Sequence, residues 1–305
     1  MINQVKRHLT TGFQLSQLLL ICALVGFTGI ASSAQTRTKE DAKTVIFAVS
    51  SSYHPSIDQS RPHLGIEPIV IIDGGNYKKP PQEKEEDEVL SFGESYYRSG
   101  LVYHLLFGGG RVGQVTVKQW VKPDPYECFS NSALVRMKTA LKFGNNRALA
   151  TNSKTLGRKN SLRRAPTPQE HDQILKIAEE AFRSKGAPIK SLQELWVSGL
   201  AVSDLNGDGV FEMIGSFQIK DKPDHSLFLI AERRDTGYEP SSVWYHFDSG
   251  PSSQVRSFID HLDLDGDGVD EVITKDSFSQ ATRYQIYKKK EGQWQVIYEG
   301  GGISC

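Results

Sequence analysis

Two nine-residue stretches, DLNGDGVFE at 204–212 and DLDGDGVDE at 263–271, constrain this chain more than any other feature. Each sets oxygen-bearing side chains at positions 1, 3, 5 and 9 around a glycine at position 6. A tight loop turns side chains 1, 3 and 5 to one side only where the backbone bends sharply, and Gly209 and Gly268 permit that bend. Calcium takes about six to eight oxygens at about 2.3–2.6 Å, a demand this spacing meets once water completes the shell. The spacing therefore predicts two structural calcium sites. The first draws on Asp204, Asn206, Asp208 and Glu212 with the carbonyl of Val210, the second on Asp263, Asp265, Asp267 and Glu271 with the carbonyl of Val269. Aspartate and glycine clusters also build ordinary β-turns, so the same residues are compatible with a loop that holds no ion. Four crowded carboxylates repel one another more than three and an asparagine, which makes the second loop the stronger expected site and Asp267→Ala the costlier change than Asp208→Ala.

Both loops are flanked by strand-like sequence. Runs at 195–202, 212–219, 226–231 and 242–247 are matched by runs at 255–262, 271–275, 282–288 and 293–298, with the acidic loop between the first and second run each time. Asp204 and Asp263 lie 59 residues apart, and a period of that size with four strands per unit predicts blade-like antiparallel sheets. Position 12 is Gly215 in one loop and Thr274 in the other, where an EF-hand needs glutamate and an ensuing helix, so an EF-hand is excluded. Over residues 196–219 and 255–276 the chain resembles the FG-GAP or VCBS-type repeats of integrin α-subunit propellers and many secreted bacterial proteins, with their DxDxDGxxD calcium loop. Two departures limit what that resemblance implies. EMIGSF and EVITKD stand where the family has a glycine-alanine-proline signature, and two units fall short of the roughly four or more blades of a closed propeller.

The rest of the chain is read from pattern. Lys6 and Arg7, an apolar run of 14 residues from Leu18 to Ala31, and the small residues Ser32, Ser33 and Ala34 read as a secretory signal over 1–34. That run is shorter than the ~20 residues that cross a bilayer, so no stable membrane span is expected. Residues 35–65 read as linker with one short strand at 44–49, and 66–145 as a small antiparallel β domain. Within it the acidic stretch KKPPQEKEEDE reads as a solvated loop. The runs 101–107 and 112–121 read as a hairpin turned at Gly108, Gly109, Gly110 and Arg111. Gly108, Gly110 and Gly113 fit GxGxxG, but a strand comes after them where a dinucleotide site needs a helix. Residues 146–166, with Arg147, Lys154, Arg158, Lys159, Arg163 and Arg164, read as a basic linker. Thr167, Pro168 and Glu170 open a helix whose stripe is Ile174, Ile177, Ala178, Ala181 and Phe182, and Gly186 and Pro188 close it. The expected architecture is mainly β with this one α-helix: an N-terminal antiparallel domain, then over 167–305 the helix and two blade-like four-stranded repeats, not a complete propeller.

Function is less constrained. Basic and acidic residues balance at 36 each, so no net charge recommends nucleic acid as a partner. Beyond the signal segment only Cys128 and Cys305 remain, and they either bridge in an oxidising compartment or stay as two thiols. No GxSxG, HExxH or CxxC is present, and the eight histidines lack metal-ligand spacing. The expectation is a secreted, periplasmic or extracellular calcium-binding protein without enzymatic activity, meeting an extracellular protein or glycan. A structural envelope protein and a hydrolase enlisting His104, Asp73 or His246 stand as alternatives.

Overall fold

The computed structural model describes residues 43–52, 63–82, 85–122, 131–141, 147–248, 254–279 and 281–304. Residues 1–34, read as a secretory signal, and Cys128 and Cys305 lie outside the described residues. From Asp41 onward the chain is one compact unit, mainly β and antiparallel throughout the sheets of the described residues, which form no complete propeller.

The N-terminal part is a barrel. Strands β1 (Thr44–Ser52), β2 (His63–Asp73), β3 (Asn76–Lys78), β4 (Val102–Phe107), β5 (Gly110–Val121), β6 (Ser132–Thr139) and β7 (Ala148–Thr151) form one sheet in the order β1-β7-β4-β5-β6-β2-β3. The long β1–β2 ladder, from Thr44 opposite Ile72 to Ser52 opposite His63, joins the ends and closes six strands on themselves, with β3 appended to β2. Closure leaves no free edge among those six strands, and alternation sends Val45, Phe47, Leu105, Val115 and Ala150 inward.

Helix α1 (Glu86–Tyr96) packs on the barrel core and takes in Glu86, Asp87 and Glu88, the last residues of the acidic stretch read as a solvated loop, which corrects that reading at its C-terminal end. Glu86, Asp87 and Glu88 fall in the first turn, where negative charge meets the positive end of the helix dipole. Val89 and Phe92 carry the buried face, and Phe92 meets Tyr97 edge-on inside the barrel core. Hence there are two α-helices among the described residues, not one. The segment read as a basic linker also takes part in the sheets: it supplies β7 to the barrel and, through β8 (Arg163–Arg164), a short edge pairing to the next sheet.

The C-terminal part consists of two antiparallel meanders. Strands β9 (Leu195–Ser203), β10 (Glu212–Ile219), β11 (Lys222–Arg234) and β12 (Gly237–Phe247), edged by β8, form one sheet. Strands β13 (Val255–Leu262), β14 (Glu271–Ser277), β15 (Ala281–Lys290) and β16 (Gln293–Ser304) form the other. In each, the acidic loop joins the first strand to the second, as the order of the runs predicts.

Apolar faces stack these parts in layers. Helix α2 (Pro168–Ser184) lays Ile174, Ala178 and Phe182 on Phe217 and Leu227 of the β9–β12 sheet. The other face of that sheet meets the β13–β16 sheet through Ile214, Phe228, Phe258 and Val272. The far face of β13–β16 covers the barrel wall, with Ile273, Tyr284 and Ile286 against Ile46, Val70 and Leu149. Sheets covered on both sides bury consecutive residues, as all eight positions of β10 do.

The start of α2 is fixed by a reciprocal capping box. The Thr167 amide donates to Glu170 Oε2 at 2.8 Å and the Glu170 amide to Thr167 Oγ1 at 3.2 Å. The Arg164 guanidinium grips both Glu170 oxygens at 2.7 Å. That hydrogen bonding, opposed by partial burial and aided by Thr167, holds the Glu170 carboxyl down at about 2. A depressed folded-state pKa contributes stability that is present above the ordinary glutamate value of about 4.3 and is lost as pH falls from there through the folded value of about 2. Glu170→Gln should therefore melt below the parent at pH 6, with the gap closing by pH 2; a gap of constant size across that range in thermal melts would refute the assignment.

Candidate functional site

Both loops fold by the same local chemistry. In the first, Asp204 Oδ1 accepts the amides of Gly207 at 2.7 Å and Asp208 at 3.2 Å, while Oδ2 accepts that of Gly209 at 2.8 Å. In the second, Asp263 accepts Gly266 at 2.7 Å and Gly268 at 3.0 Å. The chain curls tightly enough for this because Gly207 and Gly209 (φ 72° and 83°) and Gly266 and Gly268 (φ 81° and 90°) are left-handed. Position 4 thus needs glycine as much as position 6 does. At the loop base the position-9 carboxylate accepts the position-2 amide, Glu212 from Leu205 at 2.9 Å and Glu271 from Leu264 at 2.8 Å. Leu205 and Leu264 are themselves buried and anchor the loops in the core.

Among the described residues one acidic cluster could hold a cation, and it lies in the second loop. Carboxylate oxygens of Asp263, Asp265 and Asp267 all lie within 4.8 Å of one another. Glu212 and Glu271 stand buried at the base of their loops, and Val210 is exposed at the rim. Burial, followed by the charges of Asp208, Asp204 and Glu232, pushes the Glu212 carboxyl up to about 7 against the pull of the Leu205 amide. Burial likewise raises Glu271 to about 7 although the Leu264 amide and Lys288 oppose it. A bound cation would supply the missing positive charge at Glu212.

The loops are fastened together and to the barrel by side chains that no motif marks. The Asp270 amide donates to Leu205 O at 2.7 Å, tying the second loop to the first. The Asp270 carboxylate is fully buried, bonded by Arg158 Nη1 at 2.5 and 2.6 Å and by His261 Nδ1 at 2.6 Å. His261 Nε2 in turn meets Ser203 Oγ at 2.5 Å. One residue before His261 on β13, Asp260 accepts the Gly108 amide on both oxygens at 3.0 Å and lies 3.4 Å from Arg163 Nη1. The Arg163 guanidinium stacks between the rings of Phe107 and Phe258, at 4.6 and 4.7 Å. Burial raises the Asp260 carboxyl, partly offset by Arg163.

The Gly108–Gly109 turn of the β4–β5 hairpin plugs directly into this cluster. A Cβ on Gly109 would lie 2.5 Å from Asp270 Oδ2 and 2.9 Å from Arg158 Nη1. Segment 158–162 is woven between: Gly109 O accepts the Arg158 amide, Gly108 O that of Leu162, and Leu162 O that of Asp204. The basic stretch expected to be a solvated connector is therefore a clasp between the barrel and both loops.

Ser203, His261 and Asp270 have the bond order of a serine nucleophile, base and orienting acid. All three have zero exposure, and the neighbouring cavity of about 420 Å³, lined by Gly109, Arg158, Asp263 and Asp265, stops short of Ser203. The chain of bonds serves to join the two loops. Of the residues considered for catalysis from sequence, Asp73 pairs with Lys78 at 2.6 Å, His104 lies on β4 in the barrel, and His246 stacks on Trp244 in another sheet. The structure does not bring them together as a constellation. Sequence reasoning missed the clasp; its one local trace is position 8 of the loops, where Asp270 stands in place of Phe211, and nothing nearby in the chain names the partner of that carboxylate.

Comparison with protein-family models, with curated proteins and with solved structures gives no match for this chain. Among the described residues no helix is long and apolar enough to cross a membrane.

Removing one partner of a buried ion pair leaves an uncompensated charge, so Arg158→Met should cost about 3 kcal/mol in urea unfolding. The double variant Arg158→Met, Asp270→Asn should recover about 1 kcal/mol or more relative to the sum of the single losses. Strict additivity would mean that the clasp carries no coupling.

Proposed function

We propose that this chain is a secreted calcium-binding protein of the FG-GAP or VCBS-like kind, a binding or surface-interaction module in which the ion has a structural role. The observation that carries the reading is the shared loop geometry: left-handed glycines at positions 4 and 6 whose amides the position-1 aspartate accepts, over a buried position-9 glutamate. Asp204, Asn206, Asp208 and Glu212 with the Val210 carbonyl would hold one ion, and Asp263, Asp265, Asp267 and Glu271 with the Val269 carbonyl form the equivalent set. Bound calcium would supply charge neutralisation and stiffness, with no part in bond making. Stiffness matters at this place because the loops lie at the junction of the barrel and both meanders. An interaction surface built on layered sheets keeps its shape only while that junction holds. The partner class that fits this reading is an extracellular protein or glycan.

Thermal melting with calcium and with chelator tests the proposal. Calcium at about a hundred times its dissociation constant stabilises by about 2.7 kcal/mol, which corresponds to a rise of roughly 5–10 °C in a chain of this size. Magnesium, which prefers a tighter octahedral shell, should do much less. An identical melting temperature in calcium and in chelator would defeat the reading.

A further inference from the structure

The two loops differ in what faces them. Antiparallel pairing puts Val272 opposite Tyr287, so one step further Glu271 faces Lys288 of β15. The Lys288 ammonium enters the second loop and donates to Asp265 Oδ2 at 2.5 Å, Asp267 Oδ2 at 2.5 Å and Glu271 Oε1 at 3.0 Å. An ammonium has three donors, and here each one meets a carboxylate at loop position 3, 5 or 9. Arg158 adds a second cation, with Nη2 3.3 Å from the Gly268 carbonyl.

The first loop has the opposite surroundings. Met213 pairs with Ala231, so the residue facing Glu212 at the corresponding step is Glu232, an acid. The charge of Glu232 is matched elsewhere, by Lys289 at 2.9 Å and Arg234 at 3.2 Å. Position 8 is Phe211, and the nearby Arg164 stacks on its ring at 4.6 Å, its charge going to Glu170. Among the described residues no lysine or arginine pairs with Asp204, Asp208 or Glu212.

We propose that Lys288 is the resident cation of the second loop, so that calcium is taken up at the first loop alone. This rests on the calcium reading of the loops and reverses the ranking that carboxylate counting suggests. Calcium would have to displace an ammonium that is only 16% exposed and already satisfied by three carboxylates, whereas at the first loop it meets uncompensated charge. The protein is then a one-ion module in which one half of the junction carries its own counter-charge and the other half depends on the medium.

Calorimetric titration of the full chain with calcium chloride distinguishes the possibilities. The expected result is one ion per chain, lost in Asp208→Asn and kept in Asp267→Asn. Lys288→Gln should bind a second ion that Asp267→Asn in the same chain abolishes, and should melt lower than the parent in chelator. Two ions bound by the parent, or loss of its single ion in Asp267→Asn, would overturn the proposal. Neither of these outcomes depends on Lys288→Gln folding. No ion in the parent but one in Lys288→Gln would support the lysine plug while defeating the calcium reading of the first loop. No ion in either would defeat both.

Discussion

The junction of this fold depends on two buried aspartates and the cations that match them. Asp260 and Asp270 have no exposed surface, and a lone carboxylate in such a place costs several kcal/mol. Asp270 is compensated by Arg158 and oriented by His261; Asp260 is held by Arg163 and the Gly108 amide. Both arginines come from the same short segment between the barrel and α2. That segment cannot leave without stranding two charges, so the barrel hairpin, the segment and the two acidic loops are held in one arrangement. The arrangement also has a steric condition, since a side chain at Gly109 would collide with the Asp270 and Arg158 pair.

Around this polar centre the apolar layers are arranged simply. The β13–β16 sheet lies between the β9–β12 sheet and the barrel, so its strands β13 and β14 are covered on both faces and bury charged side chains as well as aliphatic ones. Arg256 and Asp276 are an example: they pair at 2.6 Å within that buried layer, with the guanidinium over the Trp244 ring at 4.0 Å. Directional bonds of this kind fix how the sheets sit on one another, a choice that aliphatic contacts alone leave loosely specified.

The loops show how similar sequences acquire different chemistry. Their internal hydrogen bonding is nearly the same, from the position-1 aspartate accepting glycine amides to the position-9 glutamate closing the base. The difference comes from strands that are distant in sequence. β15 offers Lys288 to one loop, and the corresponding place on β11 offers Glu232 to the other. Counting carboxylates within a loop omits this contribution, which is as large as the charge of a ligand.

Much was legible in the residues themselves. Local physics fixes a glycine-bent acidic loop, a capped helix with its Ile174, Ala178 and Phe182 stripe, and alternating strands, so the four-stranded meanders and α2 were readable from pattern and turn chemistry. The helix α1 was hidden because its acidic first turn outweighs a buried face of only Val89, Phe92 and Gly93. Barrel closure, the clasp and the cation of the second loop could not be read at all. Each joins residues far apart along the chain, such as Thr44 with Ile72, Arg158 with Asp270 and Lys288 with Asp265. The sequence alone determined α2, both acidic loops and the strands of the two meanders, since those depend on neighbours within a few residues. Only the tertiary structure decided which charges meet, because a charge is assigned its partner by the fold that buries it.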